Sequence, residues 1–118
     1  MQSLSVAESK RIREKYPGTI PIYLRHESKS RHTALQLPPL EKNKYLPPKD
    51  MTIGQFIDFI RTRMKLTRSQ AVFFFIYPKP PEAPFLATPS QTLAQAFHLY
   101  RNAKDFLEMT ISTEDAFG

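Results

Sequence analysis

The chain has 118 residues, 11 prolines, no cysteine and a formal charge of +6. That length supports one domain around a modest core, and the lack of cysteine excludes a disulfide framework, a thiolate nucleophile and a cysteine-ligated metal. No apolar run approaches the roughly 18 residues that span a bilayer, and charges interrupt the N-terminal stretch where a signal peptide would lie. The chain therefore reads as soluble and intracellular. Its basic excess suits an acidic partner, although an ordinary solvated surface accounts for it equally well.

Ser5 and Glu8 stand at capping-box spacing and open a helix to about Lys15. Its apolar side is thin, consisting of Ile12 and Tyr16, and Pro17-Gly18 ends it. Residues 20–26 alternate, with Ile20, Ile22 and Leu24 inward and Pro21, Tyr23 and Arg25 outward. Pro21 has no N–H, so this strand needs a free side or a ladder break there. Residues 28–41 read as a long polar loop. Residues 44–46 form a short strand stopped by Pro47 and Pro48, which suits a sheet edge.

Thr52 and Gln55 form a second capping box, and Met51 with Phe56 occupies the positions of a hydrophobic staple. The helix they open carries a stripe of Ile53, Ile57, Ile60 and Met64, with Phe56 and Phe59 on one shoulder. The shoulder is either a widened core face or a wall offered to a partner. Residues 72–77 are apolar on both faces: Val72, Phe74 and Ile76 on one, Phe73, Phe75 and Tyr77 on the other. Such a run suits a central strand covered on both sides. Residues 78–84 read as an extended proline-rich connector, after which Phe85 and Leu86 tuck back.

Thr92 and Gln95 cap a short helix with Leu93, Ala96, Phe97 and Tyr100 apolar. A turn over 102–105 leads to a last strand, 106–112, with Leu107, Met109 and Ile111 inward and Phe106, Glu108 and Thr110 outward. The order of elements predicts an α+β fold: a four-stranded mixed sheet, one main helix, one short helix and an N-terminal accessory helix. That is the order of a ubiquitin-like β-grasp. The chain divides into an accessory helix packed on the domain (1–16), the β-grasp (17–112) and a flexible tail (113–118).

Nothing in the residues points to catalysis. His26, His32 and His98 stand apart, Gly18 and Gly54 are isolated, and no metal-ligand spacing or cofactor motif occurs.

The chain resembles the autophagy ubiquitin-like modifiers, the GABARAP and light-chain-three group. The resemblance rests on Ile-Arg-Glu-Lys-Tyr-Pro at 12–17, Ile-Pro-Ile at 20–22, Lys-Ser-Arg at 29–31, Lys-Tyr-Leu at 44–46, Thr-Ile-Gly-Gln-Phe at 52–56, Ile-Arg-Thr-Arg at 60–63, Phe-Phe-Phe at 73–75 and Phe-Gly at 117–118. Together they cover the chain from near residue 8 to its end. The chain departs from the pattern in having one N-terminal helix where two are usual, a longer loop before Lys44, Pro47 in place of a small aliphatic, and a divergent stretch over 78–89. It is identified as a divergent member.

The resemblance implies a modifier, not an enzyme. The carboxylate of Gly118 would be adenylated, passed to enzyme cysteines as a thioester, and joined to the amine of phosphatidylethanolamine. Glycine at the end of the tail would let that carboxylate enter a narrow enzyme channel. No residue follows Gly118 in the sequence, so this form would need no protease to expose it. The implied partners are activating and conjugating enzymes at the tail, a processing or deconjugating protease, and phosphatidylethanolamine membranes after conjugation. Cargo receptors and adaptors with short hydrophobic motifs complete the set. The implied places are the cytoplasm and, once lipidated, the autophagosome membrane.

The receptors' motif, an aromatic, two spacers and an aliphatic, would add a strand along residues 44–46. By resemblance its aromatic pocket comprises Glu8, Ile12, Pro21, Tyr23, Lys44, Leu46 and Phe106, and its aliphatic pocket Tyr45, Pro48, Met51, Phe56, Phe59 and Ile60. Lys42 and Lys44 would meet acidic residues beside the motif, and Arg61 would support the site through an ion pair. Alternative readings are a modifier conjugated to a protein lysine, a β-grasp module that is never conjugated, and a nucleic-acid binder. Against the last, the aromatics are not interleaved with the bases, and no nucleic-acid partner is expected.

Overall fold

A computed structural model describes residues 5–26, 42–67 and 71–112. The loop expected over 28–41 and the tail 113–118 lie outside the described residues. The elements are α1 (Val6–Lys15), β1 (Ile22–His26), β2 (Lys44–Tyr45), α2 (Ile53–Arg63), β3 (Phe73–Ile76), β4 (Phe85–Leu86), α3 (Leu93–Tyr100) and β5 (Leu107–Ser112).

Helices α2 and α3 start from the same four-residue pattern, Thr-x-x-Gln. In both, the threonine hydroxyl accepts from the glutamine N–H, and the glutamine side chain accepts from the threonine N–H. That leaves two orphan amides per helix. Each helix satisfies the other's: Ile53 and Gly54 donate to Gln91 and Pro89, while Leu93 and Ala94 donate to Met51 and Lys49. Thr52 and Thr92 face one another across an isolated antiparallel bridge. The two starts therefore form one unit, and Gly54 suits it because a Cβ there would come within 3.3 Å of Pro89.

The sheet has five strands in the order β2-β1-β5-β3-β4, with β1 and β5 parallel and every other pair antiparallel. The sheet is mixed, as the element order predicts. Two expectations about the sheet are corrected. Phe85 and Leu86 form a fifth strand against Phe75 and Ile76. Residues 78–84, expected to be an extended connector, instead contain a turn, with Glu82 donating to Lys79, and so close a β3–β4 hairpin. Strand β3 is interior, as expected, between β5 and β4, and β5 holds the middle of the sheet between β1 and β3. The two-faced apolarity of β3 has its own cause: Phe74 and Ile76 join the core, while Phe75, also buried, lies beside Thr110 on the other face.

The core lies between the sheet and α2. Ile22, Leu24, Phe74, Ile76, Leu107, Met109 and Ile111 meet Ile53, Phe56, Ile60 and Met64. Each large side chain buried there is worth roughly 1.5–3 kcal/mol. Phe56, placed on the shoulder by periodicity, is fully buried, whereas Ile57 is only partly buried. The two residues flank the line from Ile53 to Ile60 on opposite sides, and the sheet selects the Phe56 flank.

Helix α1 departs from its thin-stripe reading. Tyr16 is 45% exposed and Ile12 half-buried, while the one fully buried residue is Ser9. The Ser9 hydroxyl donates to the Asp105 carbonyl at 2.6 Å, and Arg13 lies 3.8 Å from the Asp105 carboxylate. Polar contacts thus tie α1 to the turn that precedes β5.

Candidate functional site

Strand β2 ends the sheet, and no strand lies beyond it among the described residues. Leu24 donates to Asn43, Ile20 donates to Pro47, and Ile22 is opposite Tyr45. Antiparallel pairing alternates along a strand. Residues 43, 45 and 47 therefore turn their backbone groups toward β1, and Lys44 and Leu46 turn theirs outward. The Thr19–Pro48 bridge keeps the same register. Pro47 breaks the ladder only on the β1 side, where its N–H is missing, and its carbonyl still accepts from Ile20 at 2.9 Å. The outward donors at residues 44 and 46 are intact.

The register also sorts the side chains. Residues opposite one another share a sheet face. Lys44 is opposite Tyr23, and Tyr23 is opposite Glu108; one step on, Leu46 aligns with Pro21 and Pro21 with Phe106. These residues lie on the face that bears α1. Tyr45, like Ile22 and Leu107, points to the face that bears α2. One edge strand therefore serves two apolar regions, one on each side of the sheet.

On the α1 side the Lys44 ammonium meets the Glu8 carboxylate at 2.8 Å, with both side chains partly shielded. Leu46 is 37% exposed, Tyr23 and Ile12 are half-buried, and Pro21 is buried. Phe106 is 0% exposed. Its expected outward direction on the sheet is correct, but it is covered, because alternation reports a face and not what lies on it. Phe106 can serve only as a floor.

On the α2 side Tyr45, Phe56 and Phe59 form an aromatic cluster. Tyr45 meets both phenylalanines edge-on, at 5.7 and 6.3 Å, and Phe56 stacks on Phe59 at 6.4 Å. Phe56 and Ile60 are fully buried and close the cluster from below, so neither is available to touch a ligand as the residues stand. Phe59, 42% exposed, Pro48 and the half-buried Met51 remain accessible. The Tyr45 hydroxyl donates to the Lys42 carbonyl at 3.1 Å, and the Lys42 ammonium lies 5.0 Å from the Tyr45 ring centre. Arg63 lies 5.9 Å from the Phe59 ring centre.

Arg61 donates to the Thr67 carbonyl at 2.9 Å, which ties it to the segment following α2. Gly118 lies outside the described residues. Among the described residues no group of His, Cys, Asp and Glu could hold a metal, and no helix is long and apolar enough to cross a membrane. Sequence reasoning missed Ser9 and Asp105. Ser9, Ile12 and Tyr16 share a helical face at spacings of three and four, but a serine on a helix face carries no burial signal. Asp105 was legible only as part of a turn. Its φ of +62° and its contacts with Ser9, Arg13 and Arg101 appear only in three dimensions.

A family model described as autophagy protein Atg8, ubiquitin like, matches residues 5–118. Autophagy-related protein 8a of Arabidopsis thaliana is 39% identical over 116 residues, covering 96% of this chain and 84% of the relative. Autophagy-related protein 8 of Schizosaccharomyces pombe is 39% identical over 112 residues, covering 94% and 83%. Among solved structures, Trypanosoma brucei ATG8 superposes with a TM-score of 0.72 at 26% identity, covering 91% of this chain and 83% of that one. Plasmodium falciparum Atg8, solved with a peptide of that organism's Atg3, superposes with a TM-score of 0.75 at 24% identity, covering 93% and 88%.

Proposed function

The chain belongs to the Atg8 family of ubiquitin-like autophagy proteins, and from that premise we propose that it is a lipid-conjugated modifier that recruits receptors through the β2 edge. Conjugation takes place at Gly118. Adenylation of its carboxylate expels pyrophosphate from ATP, an enzyme thiolate displaces AMP to form a thioester, and the amine of phosphatidylethanolamine displaces the thiol to leave an amide. The chain has no cysteine of its own, so it is the passenger in these steps and the enzymes supply the thiols. An Atg3-type conjugating enzyme is the natural carrier, given the peptide bound to the Plasmodium relative. The conjugate works at the autophagosome membrane, and the unconjugated form is cytoplasmic.

The observation that carries the receptor reading is the arrangement around β2: outward backbone at Lys44 and Leu46, with an apolar region on either face. A peptide strand added there places successive side chains on alternate faces. Its aromatic meets Leu46 and Ile12 above the buried Pro21 and Phe106, and its aliphatic meets Pro48, Met51 and Phe59 beside the largely buried Tyr45. Lys42 and Lys44 receive acidic residues that flank the motif, and Arg61 supports the α2 side. Burying two such side chains contributes roughly 1.5–3 kcal/mol each before ordering costs, so the main-chain hydrogen bonds of the added strand and the basic rim must supply the rest of the roughly 8 kcal/mol that micromolar binding requires.

The deciding experiment for conjugation is mass spectrometry of the protein recovered from cells, comparing the parent with Gly118→Ala. The expected adduct is phosphatidylethanolamine on the glycine carboxyl, lost in the variant. A lysine side chain attached there would instead make the protein a modifier of proteins, and an unmodified Gly118 under autophagy-inducing conditions would exclude conjugation.

A further inference from the structure

We propose that Ser9 and Asp105 are positioning residues for the aromatic side of the groove, an assignment that rests on the receptor reading above. Helix α1 supplies Glu8 and Ile12 to that side, so its placement sets the width of the site. Its own apolar residues are incompletely buried: Val6 and Tyr16 are exposed, Ile12 is half-buried, and the one fully buried residue of the helix is Ser9. What Ser9 touches is the Asp105 carbonyl, one residue before Phe106, the floor of the same site.

The turn at Asp105 is itself held rigidly. Asp105 has φ +62° and donates to the Asn102 carbonyl, and the Asn102 side chain accepts from the N–H groups of Lys104 and Phe106. The Asn102 side-chain N–H also donates to the Glu108 carboxylate. The Asp105 carboxylate lies between Arg13 of α1, at 3.8 Å, and Arg101 at the end of α3, at 3.4 Å. Through its carbonyl, Asp105 thus joins the roof of the site at Ser9 to the chain next to its floor at Phe106. The buried Ser9 hydroxyl is the directional part of the anchor, because it meets a carbonyl that would otherwise be left without that donor. The arginine pairs are exposed and screened, so they add little.

A labelled peptide with two acidic residues followed by Trp, two serines and Leu is titrated against the parent, Ser9→Ala and Asp105→Asn, alongside the same peptide with Trp replaced by Ala. Ser9→Ala is expected to weaken the Trp peptide by roughly three- to tenfold and to leave the Ala peptide unchanged. Asp105→Asn, which keeps the carbonyl and tolerates positive φ, is expected to have a smaller effect. Amide exchange without peptide is expected to quicken in α1 of Ser9→Ala and to stay unchanged in β5. If the parent binds both peptides equally, the groove itself fails, and this assignment with it. If the parent distinguishes them and Ser9→Ala does so by the same factor, the groove stands and the anchor is overturned. Unchanged exchange in α1 of Ser9→Ala overturns the anchor regardless of peptide.

Discussion

Ile20 donates its amide to the carbonyl of Pro47 at 2.9 Å, and Pro47 has no N–H with which to answer. The edge strand therefore lacks one bond on its inner side, where pairing resumes as Lys49 donates to Gly18, while its outer side stays open. This separates two substitutions that look alike in sequence. Leu46→Pro removes an N–H that faces outward, where an incoming strand would bond, whereas Leu46→Ala removes only the side chain. Both variants should fold. Leu46→Pro should bind the acidic Trp-x-x-Leu peptide more weakly than Leu46→Ala by about 0.5–1.5 kcal/mol, the worth of one main-chain hydrogen bond. Isothermal titration of the two variants measures that gap, and equal affinities would mean that the peptide does not add as a strand at residue 46.

The reciprocal helix starts make a prediction about stability alone. Thr52→Ala and Thr92→Ala each remove one capping bond, at a cost of about 1 kcal/mol, within a range of roughly 0.5–2. Because the first amides of each helix bond to the segment preceding the other, the two losses should not add independently. Urea unfolding of the two single variants and the double variant gives the coupling. Strict additivity would show that the two ends behave as separate caps.

Much of this architecture was legible in the sequence, and the parts that were not share a physical cause. Both Thr-x-x-Gln boxes, the start of α2, the inward set of β5 and the edge placement of β2 follow from local chemistry: a hydroxyl that accepts an amide, side chains alternating along a strand, proline without a donor. The errors arose where a neighbour decides. Periodicity could not choose between Phe56 and Ile57, since both flank the same helical line. Alternation put Phe106 on the right face but could not reveal its cover. Strand β4 has two residues, too few for a pattern. The chance that Ser9 is buried depends on Asp105, 96 residues away along the chain.

The end of α2 carries an unforced cost. Leu66 donates to Arg61 and Lys65 donates to Thr62, the paired bonds of a Schellman motif. That motif calls for a left-handed residue after the cap, and the residue there is Lys65, with φ +56°. Glycine adopts this conformation without a Cβ penalty. Lys65→Gly should therefore raise the unfolding free energy by about 0.5–1 kcal/mol, net of the extra entropy glycine brings to the unfolded chain. A higher urea midpoint at unchanged slope would match this, and a lower one would contradict it.

The Lys44–Glu8 pair sets the last prediction, which concerns charge in the proposed groove. At 2.8 Å the ammonium of Lys44 already has a carboxylate partner, so an acidic residue of a bound peptide competes with Glu8 for it. Glu8→Gln keeps the side-chain shape and removes the competitor. It should tighten the acidic peptide by about 0.2–1 kcal/mol, the range of a partly screened ion pair, and steepen the loss of affinity with salt. Lys44→Ala should weaken binding by a similar small amount and flatten the salt dependence. Leu46→Ala should cost more than Lys44→Ala at every salt concentration, because the loss of apolar contact is not screened. Titrations of the four proteins at low and high salt separate these effects. Weaker binding by Glu8→Gln at low salt would mean that Glu8 contacts the peptide favourably, and that the basic rim is not where its acidic residues dock.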